Sequence, residues 1–288
     1  MPKIDANHLK LHYWQSGKGP QVVLVHGLGG NLAGWHHGIV PELQQTFRVL
    51  TYDLRGHGRS EAPAEGYTTS EMVKDLRALL DVLGIEKAPF VGHSWGGDIV
   101  LHFAQMHPER VSALVIVEGA LLAPLAPEYR RPEWSGWPYA SSTIEGLLGR
   151  PIPDEHRYDL EYLLRQLIEI PMIYGPAQGR PRDKEIVLRV IDVLRPMWQG
   201  KEGEGNLSLG SLSAITQPTL LLYEANTAYP EAHRELSARL PASSSMTLPA
   251  GDLKHFSTLA HPGAIADCIR SFLAEQGIDR VDAPQVSK

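Results

Sequence analysis

Val91-Gly92-His93-Ser94-Trp95-Gly96-Gly97 is the stretch on which the reading of this chain turns. Ahead of it runs Ala88-Pro89-Phe90-Val91, short and apolar, which predicts a buried strand. After it, Asp98-Ile99-Val100-Leu101-His102-Phe103-Ala104-Gln105-Met106 carries apolar residues at helical spacing. A Gly-x-Ser-x-Gly between strand and helix predicts a turn too tight for a β-carbon at the flanking positions, with the serine thrust up into a cleft. Ser94 is therefore the candidate nucleophile.

Working outward, residues 9–14 alternate like a two-sided strand, while Val22-Val23-Leu24-Val25 and Phe47-Arg48-Val49-Leu50-Thr51-Tyr52 read as buried strands. Residues 69–84 predict a helix capped by Thr69 or Ser70 and ended by Gly84. Ala113-Leu114-Val115-Ile116-Val117 predicts another buried strand. Strands alternating with helices imply an α/β fold, a mostly parallel doubly wound sheet with helices on both faces. The alternation stops after Glu118. Residues 119–215 are first rich in Pro, Trp and Tyr and then amphipathic, which predicts a helical cap inserted between two strands of the sheet. The strand pattern resumes at Pro218-Thr219-Leu220-Leu221-Leu222-Tyr223, followed by residues 245–249 and a last helix over 263–276. The expected division is a core of 1–118 and 216–277, a cap of 119–215, and a polar, disordered tail of 278–288.

The chain has 288 residues, 43% of them hydrophobic, enough to bury a full core. Its net charge of −6 comes without any long Lys/Arg run, which argues against a nucleic-acid or membrane partner. The one cysteine, Cys268, excludes an internal disulfide framework. The first residues lack an apolar core of signal-peptide length and no stretch suits a bilayer span, so a soluble cytoplasmic protein is expected. No cofactor or metal is expected, because the strand-end His and carboxylate residues are already taken by the constellation below. Homo-oligomerisation is left open.

Three further motifs fall at strand ends: His26-Gly27-Leu28-Gly29-Gly30, Asp53-Leu54-Arg55-Gly56-His57-Gly58-Arg59-Ser60 and Asp252-Leu253-Lys254-His255-Phe256. With the Ser94 stretch, in this order, they closely resemble the α/β-hydrolase fold family, over about residues 9–276. The resemblance implies that Ser94 attacks, that His255 is its base, and that the Leu28 and Trp95 N–H groups form the oxyanion hole. His261 matches a position that caps the last helix, and His26 and His57 match turn-forming positions.

The acid departs from the common pattern. Many relatives carry an aspartate where this chain has Thr227, and a hydroxyl cannot stabilise an imidazolium as a carboxylate does. Glu118, at the end of the strand holding Val115 to Val117, occupies the acid position of some branches, including certain haloalkane dehalogenases and the zearalenone-type lactone hydrolases. It is also an expensive residue to bury without a task. Glu224 is the alternative, though it comes too early in its loop and its side chain is expected to point elsewhere; a simple capping role for the carboxylate, with no triad acid, is the third. Trp95 resembles the dehalogenase and epoxide-hydrolase elbows, which read His-Asp-Trp-Gly. Those reactions need a carboxylate nucleophile, since an alkyl-serine is an ether with no carbonyl for water to attack. Ser94 leaves acyl chemistry.

A cap rich in Trp134, Trp137, Tyr139 and Trp198 is expected to roof the serine and bind substrate, although packing alone accounts for any single aromatic. The expected activity is a cofactor-independent serine hydrolase cleaving a small hydrophobic ester or lactone through an acyl-enzyme. One alternative is a carbon–carbon bond hydrolase of the same fold, using Arg130, Arg131, Arg150 or Arg195 to hold a substrate carboxylate. The other is a ligand receptor derived from a hydrolase.

Overall fold

The computed structural model describes residues 2–119, 132, 137–169, 207–252 and 254–279, with isolated positions between 184 and 205. The strands are β1 (Lys3–Ala6), β2 (Leu9–Ser16), β3 (Gln21–Val25), β4 (Arg48–Tyr52), β5 (Ala88–His93), β6 (Val111–Val117), β7 (Thr219–Glu224) and β8 (Ser243–Leu248). They form one eight-stranded sheet in the order β1-β2-β4-β3-β5-β6-β7-β8. β1 pairs antiparallel with β2 and β2 antiparallel with β4, and every other pairing is parallel. This is the α/β-hydrolase arrangement. The order puts β5, β6 and β7 side by side and parallel, so their C-terminal ends open on one cleft.

Alternation along the buried strands builds two cores, one on each face of the sheet. Val23 and Val25 of β3 pack with Leu114 and Ile116 of β6 on one face. That face is covered by Leu76, Leu79 and Leu80 of α1 (Thr69–Val82) and by Ile99, Val100 and Phe103 of α2 (Trp95–Met106). Val22 and Leu24 pack with Val115 and Val117 on the other, beneath Ile265, Ile269 and Leu273 of the C-terminal helix Pro262–Glu275. Cys268 of that helix is half-buried against the second core.

The cap of α1 is one residue earlier than the sequence suggests: Thr68 Oγ1 accepts from the Glu71 N–H at 3.3 Å. Thr69 faces inward instead, bonded to His102 Nδ1 at 2.8 Å and accepting from the Leu207 N–H at 3.0 Å. Helices α3 (Trp137–Leu148) and α4 (Leu160–Gln166) lie between β6 and β7 in sequence, where the cap is expected. β1 and the helix α5 (Pro230–Arg239) are additions that the sequence pattern does not signal. α5 buries only Ala232 and Leu236, too little apolar periodicity to read. Among the described residues no helix is long and apolar enough to cross a membrane.

Candidate active site

The turn between β5 and α2 is set by two close approaches. A β-carbon at Gly92 would meet the Gly96 carbonyl at 2.4 Å, and one at Gly96 would meet the Val25 carbonyl at 2.2 Å. Only glycine fits either place. The packing leaves Ser94 at φ 54°, ψ −124°, a conformation that non-glycine residues rarely hold. Ser94 is 7% exposed. Trp95 opens α2, so its N–H lies in the first helical turn, where no intrahelical carbonyl is available. Gly27 lies against the serine, its built β-carbon falling 2.8 Å from Ser94 Cβ, which brings the His26–Gly30 loop and Leu28 to the same place.

Ser94 Oγ and His255 Nε2 are 2.8 Å apart. His255 sits in a short turn after β8, with Tyr229 and Phe256 packed edge-on to its ring. His93, immediately before the serine, faces the same loop, and its Nε2 lies 2.9 Å from the His255 carbonyl, donating to it. Burial first, and then the neighbouring His255, hold the His93 imidazole down at about 3, so this donor is neutral near pH 7. One strand end therefore carries the hydroxyl and also tethers the histidine facing it. The sequence hid this contact, because the residue before the serine in a Gly-x-Ser-x-Gly motif has no fixed identity.

Glu118 follows β6 with φ 50° and is completely buried. Its Oε1 accepts from the Glu224 N–H at 2.6 Å and its Oε2 from the Thr227 hydroxyl at 2.6 Å. His255 Nδ1 is 3.9 Å from Oε2 and has no hydrogen-bond partner among the described residues. A closure of about 1 Å would turn this contact into a hydrogen bond, a tightening of the kind catalytic contacts undergo in a Michaelis complex.

Glu224 ends β7, and its carboxyl reaches His261 rather than His255. His261 lies 4.0 Å from it, and the Gly251 backbone beside it supplies at most a weak hydrogen bond. Burial, and then the charge of Glu118, push the Glu224 carboxyl up to about 7. A raised carboxyl holds its proton more tightly in the folded than in the unfolded chain. As pH rises from an ordinary 4.5 to about 7, the unfolded state loses its proton first and stability falls; above that window it levels off. Glu224→Gln removes this slope. Its stability relative to wild type should climb between pH 5 and pH 8, by on the order of 2–3 kcal/mol. A melting-temperature difference that stays flat over that range would show that Glu224 ionises as an ordinary glutamate.

The remaining histidines of the motifs are structural. His26 Nε2 accepts from the Leu54 N–H at 3.1 Å, which makes Nδ1 the donor to the Gly27 carbonyl at 2.8 Å. His57 Nδ1 donates to the Arg55 carbonyl at 2.9 Å. His261 stands at the N-cap of the last helix without a side-chain capping bond. Asp53 joins the loops, accepting from the Leu32 and Arg59 N–H groups at 2.8 Å each and contacting His12 at 2.6 Å.

Of the aromatic residues expected over the serine, Trp134 and Trp198 lie outside the described residues, as does the side chain of Tyr139. Trp137 is 3% exposed, packed with Ile144, Ile152, Leu163 and Ala232, with Tyr229 and Phe256 at the margin of the cluster. It joins α3 to the wall beside His255. Among the arginines, Arg150 bonds Gln166 at 2.9 Å and Arg195 bonds Glu161 at 2.9 Å, while Arg130 and Arg131 lie outside the described residues. No group of three or more metal-binding side chains occurs among the described residues.

A family model described as "alpha/beta hydrolase fold" matches residues 20–143, a range that runs from β3 through the Ser94 elbow and β6 to the first turns of α3. An uncharacterized protein of Mycobacterium tuberculosis is 40% identical over 102 residues, 35% of this chain and 30% of that protein. Epoxide hydrolase 3 of Siraitia grosvenorii is 40% identical over 114 residues, 39% of this chain and 36% of that enzyme. The matched stretch thus spans about a third of these curated relatives. The solved enol-lactonase of Burkholderia xenovorans superposes with a TM-score of 0.67 at 24% identity, covering 95% of this chain and 100% of the lactonase.

Proposed function

Because residues 20–143 match the α/β-hydrolase fold family and the sheet has that fold, we propose that the chain is a serine hydrolase acting on a hydrophobic ester or lactone without a cofactor. One observation carries the reading: a serine hydroxyl on a strained turn, 2.8 Å from an imidazole nitrogen. His255 Nε2 takes the Ser94 proton as Oγ attacks the substrate carbonyl. The Leu28 and Trp95 N–H groups receive the developing oxyanion, and Glu118 steadies the imidazolium through Nδ1. His255 then returns the proton to the leaving alcohol, and a water activated by the same nitrogen releases the acid from the acyl-enzyme. In a lactone the leaving alcohol stays tethered to the acyl group, so the first product and the acyl-enzyme are one species.

The epoxide hydrolase relative raises a different reaction. Ring opening by Ser94 would leave a serine ether that water cannot resolve, so the residue type favours acyl transfer. The described side chains packed on His255 are Tyr229 and Phe256, backed by the buried Trp137 cluster, in keeping with an apolar substrate. Arg150 and Arg195 are engaged in cap contacts, which weakens the carbon–carbon hydrolase alternative.

A panel of aryl and alkyl esters, lactones, thioesters and vinylogous diketones, run beside a fluorophosphonate probe, tests the proposal. The expected result is ester or lactone turnover together with a single phosphonyl adduct that peptide mass spectrometry maps to Ser94. Labelling elsewhere, or turnover confined to the diketones, would overturn it.

A further inference from the structure

Thr227 stands where many relatives of this fold carry the triad aspartate, and its side chain still reaches the acid. We propose that Thr227 is a positioning residue: its hydroxyl proton, donated to Glu118 Oε2, fixes the carboxylate oxygen that faces His255. The inference rests on the reading of Glu118 as the triad acid.

The hydrogen-bond directions follow from the donors available. The Tyr229 N–H donates to Thr227 Oγ1 at 3.1 Å, occupying one lone pair of the hydroxyl. Glu118 Oε2 lies 2.6 Å from the same oxygen, so the single hydroxyl proton points at the carboxylate. The Thr227 backbone is itself tied, its N–H donating to the Glu224 carbonyl at 3.0 Å. The β-branched side chain adds stiffness about χ1.

The turn leaving β7 thus makes two contacts with one carboxylate. The Glu224 N–H holds Oε1 at 2.6 Å and the Thr227 hydroxyl holds Oε2 at 2.6 Å. Two donors on two oxygens define both the position of the carboxylate and its plane. Oε2 is also the oxygen nearest His255 Nδ1, at 3.9 Å. Without the hydroxyl, Oε2 would keep only that longer contact, in a side chain that is completely buried. The carboxylate would be free to rotate about its hold on the Glu224 N–H, and the Nδ1 contact would lose its direction. Thr227 touches no reacting atom and acts only through Glu118.

The test compares Thr227→Val, which keeps the shape and removes the hydroxyl, with Thr227→Ser, which keeps the hydroxyl and removes the methyl. Both are measured alone, and Thr227→Val also in a Glu118→Gln background. The readouts are kcat and KM for p-nitrophenyl butyrate, the rate of Ser94 phosphonylation by a fluorophosphonate, and the downfield proton resonance of His255 Nδ1–H. Thr227→Val should slow turnover and labelling by about 10- to 100-fold, the range of one charge-assisted hydrogen bond, with KM unchanged. It should also shift or broaden the Nδ1 resonance. Thr227→Ser should restore both, and Thr227→Val should cost nothing further once Glu118 is Gln.

A Thr227→Val variant as fast as wild type, a Thr227→Ser variant as slow as Thr227→Val, or additive losses in the double variant would each overturn the inference. Should Thr227→Val be poorly folded, the serine variant and its resonance decide alone, since a packing role would not survive loss of the methyl. Glu118→Gln at wild-type rate would instead overturn the acid assignment and this inference with it. A crippled Glu118→Gln beside a normal Thr227→Val would sink the Thr227 role alone.

Discussion

Ser94→Ala should lower kcat by about 10⁶ and leave the melting temperature unchanged, the largest effect expected of any single substitution in this chain. The hydroxyl is the only group that the change removes. The backbone turn is held by the close approaches at Gly92 and Gly96 and keeps its positive φ with alanine as with serine. His255 loses its partner at 2.8 Å but keeps its tether to His93, so the site stays assembled around a missing atom. The residual rate should be the small one left by substrate binding and oxyanion stabilisation, and the fluorophosphonate adduct should vanish. Ester turnover within tenfold of wild type by a natively folded Ser94→Ala would remove the serine from the mechanism and reopen the question of which group attacks.

Glu118→Gln should lower kcat by about 10⁴, as an amide does for an acid that sets the histidine tautomer. The local geometry says why. The Glu224 N–H at Oε1 requires an acceptor, so a glutamine here places its oxygen at that position and its NH₂ toward Thr227 and His255. The Thr227 hydroxyl can turn to accept, but His255 Nδ1 then faces a donor and must itself become the acceptor. Its proton moves to Nε2, the nitrogen that has to receive the Ser94 proton, and the base is blocked. Glu224→Gln should be mild by comparison, because its carboxyl faces His261. Thr227→Asp should not improve the enzyme, since it would set a second carboxylate against Glu118. The decisive measurement is kcat for the two glutamine variants at matched melting temperature. A crippled Glu224→Gln beside an active Glu118→Gln would transfer the acid to the end of β7.

Much of the architecture could be read from local pattern. The buried strands β3 to β7 are short apolar runs, and a buried parallel strand needs little else. The elbow was legible because two steric constraints force glycine at fixed spacing around one residue. β1 and α5 were not: the first is a short edge strand bearing Lys3 and Asp5, the second a helix with two buried residues. The start of α1 falls one position before Thr69 because three adjacent hydroxyl residues can cap, and the Thr68-x-x-Glu71 spacing favours the first of them. The structure removes Thr69 from the choice by burying it against His102 and Leu207.

The alternation of strands and helices, the serine at the turn after β5 and a shortlist of two carboxylates for the acid all follow from the residues alone. These are local matters, settled by side-chain volume, hydrophobic period and the glycine requirement of a tight turn. Which carboxylate faces His255, and what holds it there, was decided by tertiary structure. Glu118 and Thr227 are 109 residues apart and meet through the parallel pairing of β6 with β7. His93 and His255, 162 residues apart, meet because the loop after β8 folds back over the end of β5. A hydrogen bond depends on distances of a few tenths of an ångström between atoms that the chain brings together only when the sheet closes, so no periodicity or motif could have announced either contact.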